Sequence, residues 1–76
     1  MKPKDNMEIT RFRNRLKEIR KEMLLSQSEL AKNLKIPTST YANWEQGRTE
    51  PNIQELFKLI KFFEIDANDL FDLDDF

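Results

Sequence analysis

The stretch Ser26-Gln27-Ser28-Glu29-Leu30-Ala31-Lys32-Asn33-Leu34-Lys35-Ile36-Pro37-Thr38-Ser39-Thr40-Tyr41-Ala42-Asn43-Trp44-Glu45-Gln46-Gly47 decides how this chain folds. Ser26 followed three residues later by Glu29 is a capping box, in which each side chain satisfies the other residue's backbone N–H at a helix start. Leu30, Ala31 and Leu34 then share one helical face. Lys35-Ile36-Pro37 interrupts that helix, since proline disfavours the helical conformation in the residue before it. A third helix is expected to start near residues 37–39. It ends before Gly47, which takes a left-handed C-terminal stop without steric cost. Tyr41 and Trp44, three apart, form its apolar side. Its other side carries Thr38, Ser39, Ala42 and Asn43, short residues without the Glu–Lys pairs that decorate a solvated helix.

Working outward from this pair, Ile9, Phe12, Leu16, Ile19 and Met23 step by three and four and line one face of a first helix. Asp5 with Glu8, or Thr10, is the candidate cap at its start. On the other side, residues 48–51 read as a loop. Asn52 with Glu55 forms a second capping box, opening a fourth helix with Ile53, Leu56, Ile60 and Phe63 inward. Asp66 is expected to cap a last short helix carrying Leu70, with Phe71 and Leu73 as further apolar positions. No segment alternates with period two, so the expected fold is all-α, a compact five-helix bundle. Residues 1–9 are expected to form an N-terminal arm or an extension of the first helix, residues 10–73 the domain, and residues 74–76 an acidic end.

Composition removes most alternatives. The chain has no Cys and no His, so disulfides, thiolate metal sites and the commonest general base and zinc ligand are all lacking. Paired carboxylates, a Gly-rich phosphate loop and a nucleophile beside a base cannot be assembled either, so no enzyme, cofactor or metal centre is expected. Apolar runs are too short for a membrane span, and the first residues lack the apolar core of a signal peptide. A cytoplasmic protein with no small-molecule pocket is the expectation. The net charge is −1, but the 76 residues are unevenly charged: residues 1–25 carry +4, residues 26–63 carry +1 and residues 64–76 carry −6. Such a distribution leaves a basic part free to meet DNA while an acidic end faces away.

A pair of short helices joined by a tight turn can place its second member in the DNA major groove, about 12 Å wide, with the first braced over the backbone. Short side chains let that helix approach closely, and Thr, Ser and Asn both donate to and accept from base edges. Here the chain resembles the phage repressor and Cro-like helix-turn-helix family, also called the xenobiotic-response-element family. The resemblance runs over residues 15–71. It is carried by Arg15-Leu16-Lys17-Glu18-Ile19-Arg20, Leu25-Ser26-Gln27-Ser28-Glu29-Leu30-Ala31, Tyr41-Ala42-Asn43-Trp44-Glu45-Gln46-Gly47-Arg48 and Glu50-Pro51-Asn52.

The resemblance implies a lambda-repressor-like fold and sequence-specific binding of double-stranded DNA by a transcriptional regulator, with repression as the expected mode. It implies that Gln27 binds phosphate and braces the recognition helix, that Thr38, Ser39 and Asn43 read bases, and that Thr40, Gln46, Arg48 and Asn52 touch the DNA backbone. Arg20 and Glu45 match a buried ion pair tying the first helix to the third.

The chain departs from the family pattern where Leu24, Lys35 and Glu64 stand in place of helix-ending glycines. Pro37 occupies a usual Ser/Thr capping site, leaving Thr38 as the candidate cap, and Phe62 replaces a small residue. A homodimer on a palindromic operator is expected, because one recognition helix reads too few base pairs to select a site in a genome. Phe57, Phe62, Phe71, Leu73 and Phe76 are the candidate seam. The rival reading is a protein–protein interaction module, or an antitoxin-like component, docking a partner through Phe57, Phe62, Phe71 and Phe76.

Overall fold

The computed structural model of the chain describes residues 7–65 and Leu70. Among these residues there are four helices and no strand: α1 (Met7–Glu22), α2 (Gln27–Leu34), α3 (Thr38–Gln46) and α4 (Ile53–Phe63). The fifth helix expected from Asp66 lies outside the described residues, apart from Leu70, which is helical and fully buried. The cap at Asp5 also lies outside them. Thr10 is not a cap, because α1 already runs from Met7 and Thr10 is its fourth residue.

Both internal capping boxes form. Ser26 Oγ accepts from the Glu29 N–H at 3.0 Å and Glu29 returns a carboxylate to the Ser26 N–H at 2.8 Å. Asn52 and Glu55 do the same, at 2.8 Å each way. Pro37 occupies the cap position of α3 and offers no side-chain hydrogen bond. Thr38, expected to take over that cap, is instead the first helical residue.

The helix ends resolve the question raised by the missing glycines. Leu24, Lys35 and Glu64 keep the left-handed conformation, with φ of 60°, 61° and 57°. After α1 the Leu25 N–H reaches back to the Arg20 carbonyl and the Leu24 N–H to that of Lys21. After α2 the Ile36 and Lys35 N–H groups repeat the pattern on Ala31 and Lys32, and after α3 Arg48 and Gly47 repeat it on Asn43 and Trp44. These bonds satisfy carbonyls that would otherwise be orphaned. The turns are therefore retained at a cost of about 1 kcal/mol for each non-glycine residue.

The core joins Phe12, Leu16 and Ile19 of α1, Leu30, Ala31 and Leu34 of α2, Tyr41 and Trp44 of α3, Leu59 and Phe63 of α4, and Leu70. Each fully buried large side chain contributes about 1.5–3 kcal/mol. The Tyr41 and Trp44 rings meet edge-on, 5.8 Å between centroids. α3 packs against both α2 and α1, while α4 packs against α2.

Two expected inward positions are not inward. Met23 follows the end of α1 and is 39% exposed, and Ile53 is 64% exposed. α4 carries a wide apolar arc running from Leu59 round to Phe57, with Gln54, Glu55, Lys58 and Lys61 on the other side, so periodicity sets the side of the helix but not which part of the arc is buried. Leu59, not among the expected inward residues, is its fully buried centre, flanked by Phe63 and by half-buried Leu56 and Ile60.

Candidate nucleic-acid interface

α3 is held by one charged cluster at its inner edge. Glu45 is the buried charged residue of the core, and its carboxylate receives four hydrogen bonds. Arg20 of α1 donates from Nε to Oε2 at 2.7 Å and from Nη2 to Oε1 at 3.2 Å. Gln27 of α2 donates from Nε2 to Oε1 at 2.9 Å, and the Tyr41 hydroxyl donates to Oε2 at 2.5 Å. Arg20 also donates from Nη1 to the Leu25 carbonyl at 2.9 Å. α1, α2 and α3 are thus tied through a single carboxylate.

A buried carboxylate is stable only when its hydrogen-bonding capacity is used. Burial works against ionisation of Glu45, but the bonds from Arg20, Tyr41 and Gln27 outweigh it and hold the group below its ordinary pKa of 4.5. The hydrogen bond to Glu45 is the main reason the Arg20 guanidinium is held still more firmly protonated. Burial, then the bond to Glu45, push the Tyr41 hydroxyl well above the ordinary phenol value.

The outer side of α3 is different in kind. Thr38, Ser39 and Gln46 are exposed, while Ala42 and Asn43 are half-buried. At about 100° per residue these five fall within an arc of about 140°, with Tyr41 and Trp44 on the other side of the helix and Glu45 at the border beside Thr38. Thr40 stands at the border and is half-buried. The three candidate base-reading residues therefore share one face with Gln46. Because Pro37 and not Thr38 holds the cap position, the Thr38 hydroxyl is not spent there.

The remaining candidates surround this face in the chain. Gln27, the first residue of α2, is half-buried, with its amide nitrogen committed to Glu45. Arg48 is exposed in the loop after α3, and its backbone N–H donates to the Asn43 carbonyl at 2.9 Å. Asn52 is exposed, but its side-chain oxygen is used as the cap of α4. A hydrogen bond from this side chain to an acceptor such as phosphate comes from the amide nitrogen.

Several contributors escaped the reading of the sequence. Tyr41 stands four residues before Glu45 on α3, a spacing that puts both on one helical side and could have flagged the pair. Arg13 of α1 lays its stem over Gly47, where a Cβ would come within 3.0 Å of Arg13 Cδ. The Arg13 guanidinium also reaches the Glu45 carbonyl at 3.5 Å, closing the end of α3. Nothing local in the sequence marks that contact.

Comparison with known proteins places this geometry. The helix-turn-helix family matches residues 16–70. An HTH-type transcriptional regulator of Methanocaldococcus jannaschii is 35% identical over 64 residues, covering 84% of this chain and 97% of that protein. The HTH-type transcriptional activator BcrR of Enterococcus faecalis is 30% identical over 59 residues, covering 78% of this chain and 29% of the activator. The cryptic phage CTXphi transcriptional repressor RstR of Vibrio cholerae is 29% identical over 59 residues, covering 78% of this chain and 53% of the repressor. No solved structure matches the chain. The chain belongs to the helix-turn-helix family of DNA-binding transcriptional regulators, which are not enzymes. Among the described residues no helix is long and apolar enough to cross a membrane.

Proposed function

We propose that this regulator is a cytoplasmic repressor that binds a palindromic operator as a homodimer, inserting α3 of each copy into the major groove. The observation that carries the reading is the outer face of α3. Thr38, Ser39 and Asn43 line up there on short side chains together with Gln46, on a helix anchored to α1 and α2 along its inner edge. Thr38, Ser39 and Asn43 contact base edges. Gln27, Thr40, Gln46, Arg48 and Asn52 contact phosphate and fix the register. Repression follows from occupancy, since a bound dimer excludes polymerase from an overlapping promoter without further contacts.

The dimer places two recognition helices about 34–36 Å apart, one turn of DNA. Ile53 and Phe57, four residues apart on α4, are 64% and 59% exposed and supply apolar surface for the seam. Phe71, Leu73 and Phe76, also expected in the seam beside Phe62, lie outside the described residues, so the seam proposed here rests on Ile53 and Phe57 alone. The domain spans residues 10–73, with residues 1–9 as an arm or, in keeping with the start of α1 at Met7, an extension of the first helix, and residues 74–76 as an acidic end.

Selection of bound sites from random DNA, followed by measurement of stoichiometry on the selected site, tests this. Two chains on a two-fold symmetric site are expected. One chain bound with full affinity to a non-palindromic half-site overturns the dimer. The absence of any salt-dependent DNA complex at low ionic strength overturns the operator reading altogether.

A further inference from the structure

Between the end of α2 and the outer side of α4 runs an open groove of about 320 Å³, lined by Asn33, Leu34, Lys35, Lys58, Lys61 and Phe62. Its floor is apolar, from buried Leu34 and half-buried Phe62, whose ring leans on Phe63 with centroids 5.9 Å apart. Its rim is cationic. Lys35, Lys58 and Lys61 are all exposed, and Lys58 spans the groove to donate to the Leu34 carbonyl at 3.4 Å. Lys58 and Lys61 stand six and nine residues beyond Asn52, hence about 9 and 14 Å along α4 from the end proposed to meet DNA. These three lysines have no part in the operator contacts proposed above.

The groove asks for an occupant that is both acidic and apolar. Residues 71–76, outside the described residues, read Phe71-Asp72-Leu73-Asp74-Asp75-Phe76, with three carboxylates interleaved among three large apolar side chains. We infer that this segment docks in the groove of its own chain, its aspartates on Lys35, Lys58 and Lys61 and its apolar side chains on Leu34 and Phe62. The segment follows Leu70, which is anchored in the core. Six residues beyond Leu70 can span about 20 Å. A tether this short raises the effective concentration to the millimolar range, enough to populate a weak contact within one molecule. Opposite charges across the contact set its polarity, and the apolar floor removes the aromatic rings from water. Docking also holds three negative charges away from the DNA-facing end, where they would repel the phosphates.

Proton NMR on the full chain tests this without DNA, so its outcome is independent of the operator reading. Cross-relaxation peaks are expected between the ring protons of Phe71 or Phe76 and the Leu34 methyls or the Phe62 ring, unchanged on tenfold dilution. The Lys58→Glu/Lys61→Glu variant should lose them while keeping its core shifts. Adding Asp72→Lys, Asp74→Lys and Asp75→Lys to that variant should bring them back. Their absence from the wild-type chain overturns the inference. So does their appearance only between differently labelled chains, which assigns the groove to the segment of a second copy. Persistence of the peaks in the Lys58→Glu/Lys61→Glu variant, or their failure to return when the aspartates are also reversed, overturns the charge pairing.

Discussion

Arg20 of α1 and Glu45 of α3 form a two-point ion pair, 2.7 Å from Nε to Oε2 and 3.2 Å from Nη2 to Oε1, with side chains only 11% and 3% exposed. Twenty-five residues apart in the chain, they connect the scaffold helix to the helix that carries the candidate base contacts. Removing one member of a buried pair strands the other, at a cost of about 3–5 kcal/mol, whereas an exposed pair is worth under about 1 kcal/mol. Glu45→Gln should therefore lower the urea midpoint strongly at unchanged m. The exposed substitution Lys17→Gln is the reference. A Glu45→Gln shift no larger than that reference contradicts the structural role of the pair.

The same carboxylate makes stability depend on acid. Glu45 is held below its ordinary value of 4.5 in the folded chain, so around and below that pH the unfolded chain binds more protons. Its contribution is present above pH 4.5 and is lost as pH falls toward the folded value. Urea melts from pH 6 down to about 3 should show a loss that is shallower in Glu45→Gln. Tyr41 acts at the other end. Its folded value lies above the ordinary 10.0, so its contribution is present below that pH and lost as pH rises beyond it. Parallel pH profiles for wild type and Glu45→Gln contradict the acid assignment.

The left-handed helix ends allow a stabilising change. Leu24 has φ of 60° and is 88% exposed, so glycine there relieves strain while giving up little buried surface. Leu24→Gly should gain about 0.5–1 kcal/mol after the entropy glycine adds to the unfolded chain. In a chain of this size, that is a rise of a few degrees in Tm. Gly47→Ala should do the reverse, since φ is +79° and the new Cβ meets Arg13 Cδ at 3.0 Å. Thermal melts of both variants check the pair of signs, and a destabilised Leu24→Gly contradicts the strain argument.

Arg48 is a phosphate contact in the proposed complex, so its effect should not depend on sequence. Arg48→Gln should weaken binding to operator and random DNA alike and reduce the slope of log affinity against log salt by about 1. Loss confined to the operator would reassign Arg48 to base reading.

Much of this was legible in the chain. The capping boxes at Ser26–Glu29 and Asn52–Glu55, the stop at Gly47, and the Leu30, Ala31 and Leu34 stripe are local signals, each written within four residues. Which part of α4's apolar stripe is buried was not legible, because six apolar residues spread it over about 160°. Leu59 took the centre and Ile53 went to solvent because α2 meets α4 on one side only. Spacing could have paired Tyr41 with Glu45, but it could not reveal that Gln27 and Arg20 converge on the same carboxylate. Such contacts depend on how three helices cross. The persistence of left-handed Leu24, Lys35 and Glu64 shows the same thing from the other side. Tertiary packing and the returning backbone bonds hold a turn that local propensity opposes.

Base reading by α3 is tested most directly at Asn43, a half-buried residue of its outer face with no cap to form and no ion pair to complete. The measurement is affinity and base preference of wild type and Asn43→Ala across all single-base variants of the selected operator. If α3 lies in the major groove, Asn43→Ala loses about 1–3 kcal/mol on the operator and its preference relaxes at one or two adjacent base pairs in each half-site. Binding to random DNA stays the same. Unchanged operator affinity together with an unchanged preference profile contradicts base reading by this helix.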